Sequence, residues 1–271
     1  MRSRPRVTTA LAVLALTFAL VGCGVAEVAT PTPSSSTTPG PSERFQSPAT
    51  LDSYRYTLYV RADGELLDQS EAPAGLNLEG ETIRIDTEGY WVAPNSEYAS
   101  VIFSFGVLSA RQETIRIGER IWTNSERGAW RERAPLTDPE QLVGQDIPLT
   151  PHAIFGSDDP AMLDRLTRDL EARPHTLETI NGRETRHWAL DEEWFDAYAQ
   201  DFEGVLPGIS RDQGLLIQID VWIDLETGVG TQLEVRGSYE GRPGVMHLKM
   251  ELFDLNDPGI TVEEPPGAIG R

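Results

Sequence analysis

The chain has 271 residues, with 43 Asp and Glu against 23 Lys and Arg, and its formal net charge is −20. A surface this acidic repels the phosphate backbone of nucleic acids, so nucleic-acid binding is excluded. Nearly all of the positive charge is arginine, since Lys249 is the only lysine. At this length the chain can bury one sizeable hydrophobic core.

Residues 1–22 have the pattern of a signal peptide. Arg2, Arg4 and Arg6 give a positive start, and residues 11–21 form an apolar run that only Thr17 interrupts. A helix needs about 20 residues to cross roughly 30 Å of hydrocarbon, and this run is too short. We therefore expect a cleaved signal peptide and not a permanent transmembrane helix.

Cys23, the single cysteine of the chain, ends the sequence Leu-Val-Gly-Cys at residues 20–23. This tetrapeptide resembles the lipobox of bacterial lipoproteins. The resemblance implies that a diacylglycerol is attached to the sulfur of Cys23 and that residues 1–22 are removed. The protein would then be extracytoplasmic, held on the cell membrane, or on the outer membrane if the organism has two. The alternative is an ordinary secretory signal with an incidental cysteine.

Composition divides the rest of the chain into three parts. Residues 23–48 contain the lipidated cysteine and a Ser/Thr/Pro-rich stretch, which predicts a disordered tether. Residues 49–264 contain no second linker and are expected to form one domain. Residues 265–271 are rich in Gly and Pro, and we expect a disordered tail.

Alternation of apolar and polar residues predicts short strands in the first half of the domain. Residues 54–61 alternate regularly, and residues 76–86 form a second strand with Gly80 at a bulge. Residues 98–108 predict a strand covered on both sides. A hairpin is expected about Gly118 and Glu119.

The second half combines helices with hairpins. Residues 161–171 and 192–202 have apolar side chains at helical spacing. The Asn-Gly pair at 181–182 lies between two alternating runs and is typical of a tight hairpin. From residue 215 onward, three alternating runs predict an antiparallel meander with one solvated face.

About ten short strands and two helices indicate an α+β protein that is mostly antiparallel β. The hairpins exclude the βαβ pattern of a doubly wound sheet. We expect a strongly curved antiparallel sheet whose hollow side is covered by the helices.

Five short motifs, in this order and with this spacing, resemble LolA-like lipoproteins of the LppX/LprG type, and the resemblance covers about residues 50–264. The motifs are Ser-Tyr-Arg-Tyr at 53–56, Gly-Glu-Arg-Ile-Trp at 118–122, Ile-Asn-Gly-Arg at 180–183, Val-Trp-Ile-Asp at 221–224 and Phe-Asp-Leu-Asn at 253–256. The resemblance implies an incomplete, half-open β-barrel, with helices closing its mouth and a hydrophobic cavity that holds lipid.

Catalytic and metal-binding motifs are not found in the sequence. The four histidines, at positions 152, 175, 187 and 247, lack metal-ligand spacing. No nucleophile elbow or phosphate-binding loop occurs either. We therefore expect neither an enzyme nor a bound cofactor or metal.

Aromatic and methionine side chains are the candidates for lining a ligand cavity, because they are large and adapt to apolar guests. They are Trp91, Phe103, Trp122, Trp194, Phe195, Tyr198, Trp222, Met246 and Met250. The expected function is binding or carrying a lipid or another apolar ligand. One alternative is an envelope module that senses or binds a partner protein and has a filled core. Another is a hydrolase of envelope polymers, which would need two carboxylates in a cleft.

Overall fold

A single antiparallel sheet organises the part of the chain that the computed structural model describes. That part comprises residues 44–63, 80–125, 128–133, 150–151, 160–198, 215–240 and 244–268. The sequence predictions for residues 1–43 lie outside it, including those for the signal peptide and Cys23.

Eleven strands form this sheet, and two α-helices accompany it in the described ranges. The strands are β1 (Ser53–Asp63), β2 (Thr82–Val92), β3 (Ser96–Phe105), β4 (Leu108–Ile117), β5 (Arg120–Ser125), β6 (Arg131–Arg133), β7 (Thr176–Ile180), β8 (Arg183–Leu190), β9 (Leu215–Asp224), β10 (Gly230–Tyr239) and β11 (Met246–Phe253). The helices are α1 (Pro160–Glu171) and α2 (Glu192–Tyr198), and a 3-10 turn covers Pro48–Thr50.

The strand order is β6-β5-β4-β3-β2-β1-β11-β10-β9-β8-β7, so β6 and β7 are the two edges of an open sheet. Every pairing is antiparallel. The first and last strands pair with each other in the middle. The sheet therefore consists of two meanders, β1–β6 and β7–β11, joined along the β1–β11 pair.

Side-chain alternation gives the sheet two different faces. Tyr54, Tyr56 and Leu58 of β1 are at most 1% exposed and point to one side. Tyr56 pairs in register with Leu252 and Leu58 with Met250, so β11 adds apolar side chains to the same side. We call this side the inner face, and the opposite side the outer face.

The helices pack against part of the inner face. Leu166 and Leu170 of α1, and Trp194 and Tyr198 of α2, are buried together with inner-face side chains of β1 and β8–β11. The Trp188 indole Nε1 also donates a hydrogen bond of 2.8 Å to the Leu170 carbonyl. We call this set of buried apolar residues, which also includes Trp91 of β2, the core cluster.

The hairpins predicted from local turn residues are confirmed. Asn181 and Gly182 have φ values of 51° and 79°, as a two-residue turn with positive φ at both positions requires. Gly118 has φ 60° in the turn between β4 and β5. The three predicted C-terminal strands correspond to β9, β10 and β11.

Two predictions in the first meander are wrong. Gly80 is not inside a strand: it lies in a turn before β2, with φ 74°, a value at which glycine has no steric penalty. The strand predicted to run to residue 108 ends at Phe105, and Leu108 already belongs to β4. That strand is not covered on both sides, because the Ile102 side chain on the outer face is 37% exposed.

Buried polar groups hold the outer face together at the second meander. The Asp224 side chain is 1% exposed and accepts hydrogen bonds from Arg183 Nε at 2.6 Å and Nη2 at 3.0 Å. The backbone N–H and hydroxyl of Thr227 each donate to it at 2.8 Å. Burial raises the pKa of Asp224, but the Arg183 and Thr227 hydrogen bonds outweigh it and lower the pKa overall.

Asp224→Asn is expected to lower the free energy of unfolding by about 2–3 kcal/mol at pH 7, because it weakens charge-assisted hydrogen bonds to a buried group. Since folding lowers the Asp224 pKa, its contribution is present above the ordinary carboxylate pKa of about 4 and is lost as the pH falls below that value. Urea unfolding at pH 7 and pH 3 measures both effects. Asp254→Asn, at the more exposed Arg55 ion pair, is the control.

Candidate ligand-binding face

The inner face divides into a packed region and a less covered one. The core cluster fills the region over β1 and β8–β11. Further along β2 and β3, five apolar side chains are only half-buried and are not part of that cluster: Ile83, Ile85, Val101, Phe103 and Phe105. We call them the half-buried apolar face.

Strand register makes these five residues one continuous surface. Ile85 pairs with Phe103, and Ile83 pairs with Phe105. Ile85 also pairs with Val60 of β1, whose side chain packs against the core cluster. The apolar surface therefore extends without a break from the core cluster onto β3.

A buried carboxylate lies on the inner face at the start of β3. Glu97 is 8% exposed and pairs in register with Trp91. Its Oε1 accepts a hydrogen bond of 3.0 Å from the Tyr56 hydroxyl, and its Oε2 accepts one of 3.1 Å from Arg116 Nη2. Gly89 makes room for this arrangement, because a Cβ there would lie 2.5 Å from the Tyr56 ring.

Burial sets the protonation of this group. Loss of hydration raises the pKa of Glu97, and the Arg116 charge and the Tyr56 hydrogen bond lower it by less. Burial and the nearby Glu97 charge raise the pKa of Tyr54 and Tyr56 well above the usual phenol value. Both phenols therefore keep their protons at neutral pH, and Tyr56 is the donor to the carboxylate.

Six of the nine predicted ligand residues have side chains on the inner face or in the helices against it. Five belong to the core cluster, namely Trp91, Trp194, Tyr198, Met246 and Met250. Phe103 lies in the half-buried apolar face. Phe195 belongs to α2, but its side chain is outside the described part of the structure. A ligand role for these residues stays a prediction.

The other two predicted residues, Trp122 and Trp222, lie on the outer face. Trp122 pairs with Ile115 and Glu132 and is fully buried, with the Arg120 guanidinium 4.4 Å from its ring centroid. Trp222 is 7% exposed. Their size makes them candidates in the sequence, but the register puts them on the side opposite Tyr56.

Trp222 takes part in a polar cluster that the sequence did not predict. Its ring stacks on His187 with the centroids 4.3 Å apart, and its Nε1 donates to Glu178 Oε2 at 2.9 Å. The His187 Nδ1 lies 2.8 Å from Glu178, and its Nε2 lies 2.9 Å from Asp220. This network ties β7 and β8 to β9. The network depends on the pairing of His187 with Trp222 between β8 and β9, which the β7–β8 hairpin does not determine.

An open depression of about 420 Å³ lies where β9, β10 and β11 approach their ends. Its lining includes the exposed Leu216 and Val245 together with Arg236 and His247. Both basic groups already contact Glu234, Arg236 through Nη2 at 2.5 Å and His247 through Nε2 at 2.7 Å. Both side chains already have a carboxylate partner, so this depression is a weaker candidate than the inner face.

Within the described ranges, no group of three or more His, Cys, Asp or Glu side chains is arranged to hold a metal ion. Nor is any helix in those ranges long and apolar enough to cross a bilayer.

Similarity to known proteins is low in both sequence and structure. No family model and no curated protein matches the sequence. Among solved structures, the chain is similar to a β-barrel-like protein, of a domain of unknown function, from Brucella abortus. The identity is 10%, the coverage 76% of this chain and 97% of that chain, and the TM-score 0.19. That score is too low to transfer a site, so the LolA-like assignment is not shown and stays a prediction.

Glu97→Gln should change the pH dependence of stability in a defined direction. Because folding raises the Glu97 pKa, the folded chain binds this proton more tightly than the unfolded chain. The wild type should therefore gain stability relative to the variant as the pH falls from 7 toward about 4.3. Urea unfolding of both proteins at pH 7 and pH 5 measures the difference, and Glu113→Gln on the outer face controls for the loss of one charge. If the stability of the wild type minus that of the variant is the same at pH 5 as at pH 7, or lower, this assignment is contradicted.

Proposed function

We propose that the protein is a membrane-anchored bacterial lipoprotein that binds or carries a lipid, or another apolar ligand, on its inner face. The observation that supports this is the half-buried apolar face. Two aromatic and three branched aliphatic side chains lie side by side there and remain partly accessible. Contiguous apolar surface that is only partly covered often marks a ligand-binding groove.

The binding energy would come from burial of hydrocarbon. Each methylene of an acyl chain gains about 0.8 kcal/mol when it leaves water. A chain lying along β2 and β3 would contact Ile85, Val101 and Phe103 in turn, because side chains of one face recur every second residue. Binding would be non-covalent, without a catalytic group.

The proposal includes the finer architecture expected from the sequence, a half-open barrel whose concave side is covered by helices. The contacts of α1 and α2 with inner-face side chains support it. In this arrangement the helices close one part of the inner face and leave the part over β2 and β3 for the ligand.

The anchor in this proposal is a diacylglyceryl group on Cys23, whose two chains suffice for stable membrane attachment. Residues 24–44 would act as a flexible tether of 21 residues, with its ends on the order of 25 Å apart. It would lead to Phe45, which is buried in the core cluster and whose backbone N–H donates to Thr167 Oγ1 at 3.0 Å. The domain would thus hang from the side on which α1 lies.

One alternative has a specific observation in its favour. Five predicted ligand residues are packed in the core cluster with Leu166 and Leu170 of α1, as in a domain that needs no guest. Such a domain would bind an envelope protein instead of a lipid.

Cys23→Ser should release the protein from membranes, because serine cannot form the thioether that carries the diacylglycerol. Fractionation of cells expressing each form should find the wild type with membranes and the variant in the soluble fraction. Val25→Ser, two residues further on, is a control that leaves the sulfur in place. Membrane retention of the Cys23→Ser protein would contradict lipidation at this residue.

Phe103→Asp should reduce co-purified lipid at least tenfold, because a carboxylate placed on the half-buried apolar face opposes hydrocarbon binding. Native mass spectrometry of gently extracted protein measures bound lipid directly. The matched control is Ile102→Asp, one residue earlier on the same strand but on the outer face, which should keep its lipid. A wild type that carries no lipid would favour the protein-binding alternative.

A further inference from the structure

We propose that Arg116 binds the anionic headgroup, a carboxylate or a phosphate, of an amphiphile whose hydrocarbon chain lies on the half-buried apolar face. This inference rests on the proposed function and specifies the class of ligand. It assigns the polar end of the ligand to the start of β3 and the end of β4, and the apolar end to Val101, Phe103 and Phe105.

The hydrogen-bonding capacity of Arg116 is only partly used. A guanidinium has five N–H donors, and Glu97 accepts from Nη2. The Nε atom of Arg116 is buried and has no hydrogen-bond partner. The side chain as a whole is 37% exposed, so an acceptor can reach its terminal N–H groups but not Nε. An anionic oxygen would accept from those terminal N–H groups and form charge-assisted hydrogen bonds with the guanidinium.

On the described strands β3 to β6, the inner face carries more basic than acidic residues. Strands β3 to β6 contribute three arginines to this face, Arg116, Arg131 and Arg133, against one acidic residue, Glu97. Arg131 forms no ion pair with any described residue. A cationic patch inside a chain with a net charge of −20 is suited to an anion and not to a neutral lipid.

The register aligns this patch with the apolar surface. Glu97 pairs with Arg116, and Arg116 pairs with Ile121, which in turn pairs with Arg133. Phe103 lies six residues beyond Glu97 on the same face of β3, which is about 20 Å along the strand. Ala99 and Val101 lie between them, so a chain that starts at Arg116 runs over small and apolar side chains.

Protection of a sheet edge does not account for Arg116. Charged residues on an edge strand prevent unwanted pairing, and this explains arginines on β6. Arg116 lies on β4, two strands inside the edge, where this protection is not needed. A buried ion pair is also a weak source of stability, because desolvation offsets the attraction of the two charges.

The test compares the fluorescent fatty acid cis-parinarate with its uncharged methyl ester, using the full-length chain with Cys23→Ser so that no anchor lipid is present. Arg116→Gln should weaken parinarate binding about tenfold or more, while affinity for the methyl ester changes less than about twofold. Glu97→Gln should tighten parinarate binding, because it removes the competing carboxylate but keeps an acceptor for Tyr56. Arg111→Gln, on the outer face of the same strand, should change neither.

A double variant and a competition measurement distinguish the remaining outcomes. The double variant Glu97→Gln, Arg116→Gln has no unpaired buried charge and should show the same selective loss if the single variant folds poorly. Sodium phosphate, added at the concentration of the parinarate, should not displace it. Displacement would indicate a site for free anions and overturn the amphiphile assignment. Equal loss of both probes in Arg116→Gln would overturn the headgroup role alone. Failure of the wild type to bind either probe would overturn the proposed function as well.

Discussion

The pairing of β1 with β11 is the constraint on which the rest of the structure depends. These strands are far apart in sequence, and their eight register pairs join two meanders into one sheet. Without this pair, each meander would have one more unpaired edge. Tyr56, Leu58, Leu248 and Met250, all essentially inaccessible to solvent, lie along this seam. Their burial is the main reason that the two halves stay together.

This central seam also explains why the two halves of the inner face differ. The second meander has α1 and α2 beside it in sequence, between β6 and β9, and their apolar side chains complete the core cluster. The first meander consists of hairpins with no described helix between its strands. The five side chains of the half-buried apolar face therefore remain only partly covered. The candidate ligand face is a direct result of where the helices occur in the chain order.

Local signals predicted the hairpins, whereas long-range pairing could not be read from the sequence. The Asn-Gly turn fixed β7 and β8 because positive φ at two successive positions selects those residues. Nothing local indicates that β1 pairs with β11. Without that register, the faces of Trp122 and Trp222 could not be compared with that of Tyr56. Glu97 was within reach of sequence reasoning, because alternation puts it on the same face as Ala99, Val101 and Phe103. An acidic residue at an apolar position of a strand was the missed signal.

The Glu97–Arg116 pair is the feature of the inner face that folding alone explains least. Two apolar residues of similar volume would fit an apolar face and would avoid the cost of desolvating two charges. Tyr56 offsets part of that cost by donating to Glu97, but Arg116 keeps a buried donor without a partner. A polar group that is incompletely satisfied in a folded protein is costly unless something else completes it. Because the guanidinium is cationic, partly exposed and next to a half-buried apolar surface, the molecule that binds it should be anionic at one end and hydrocarbon at the other.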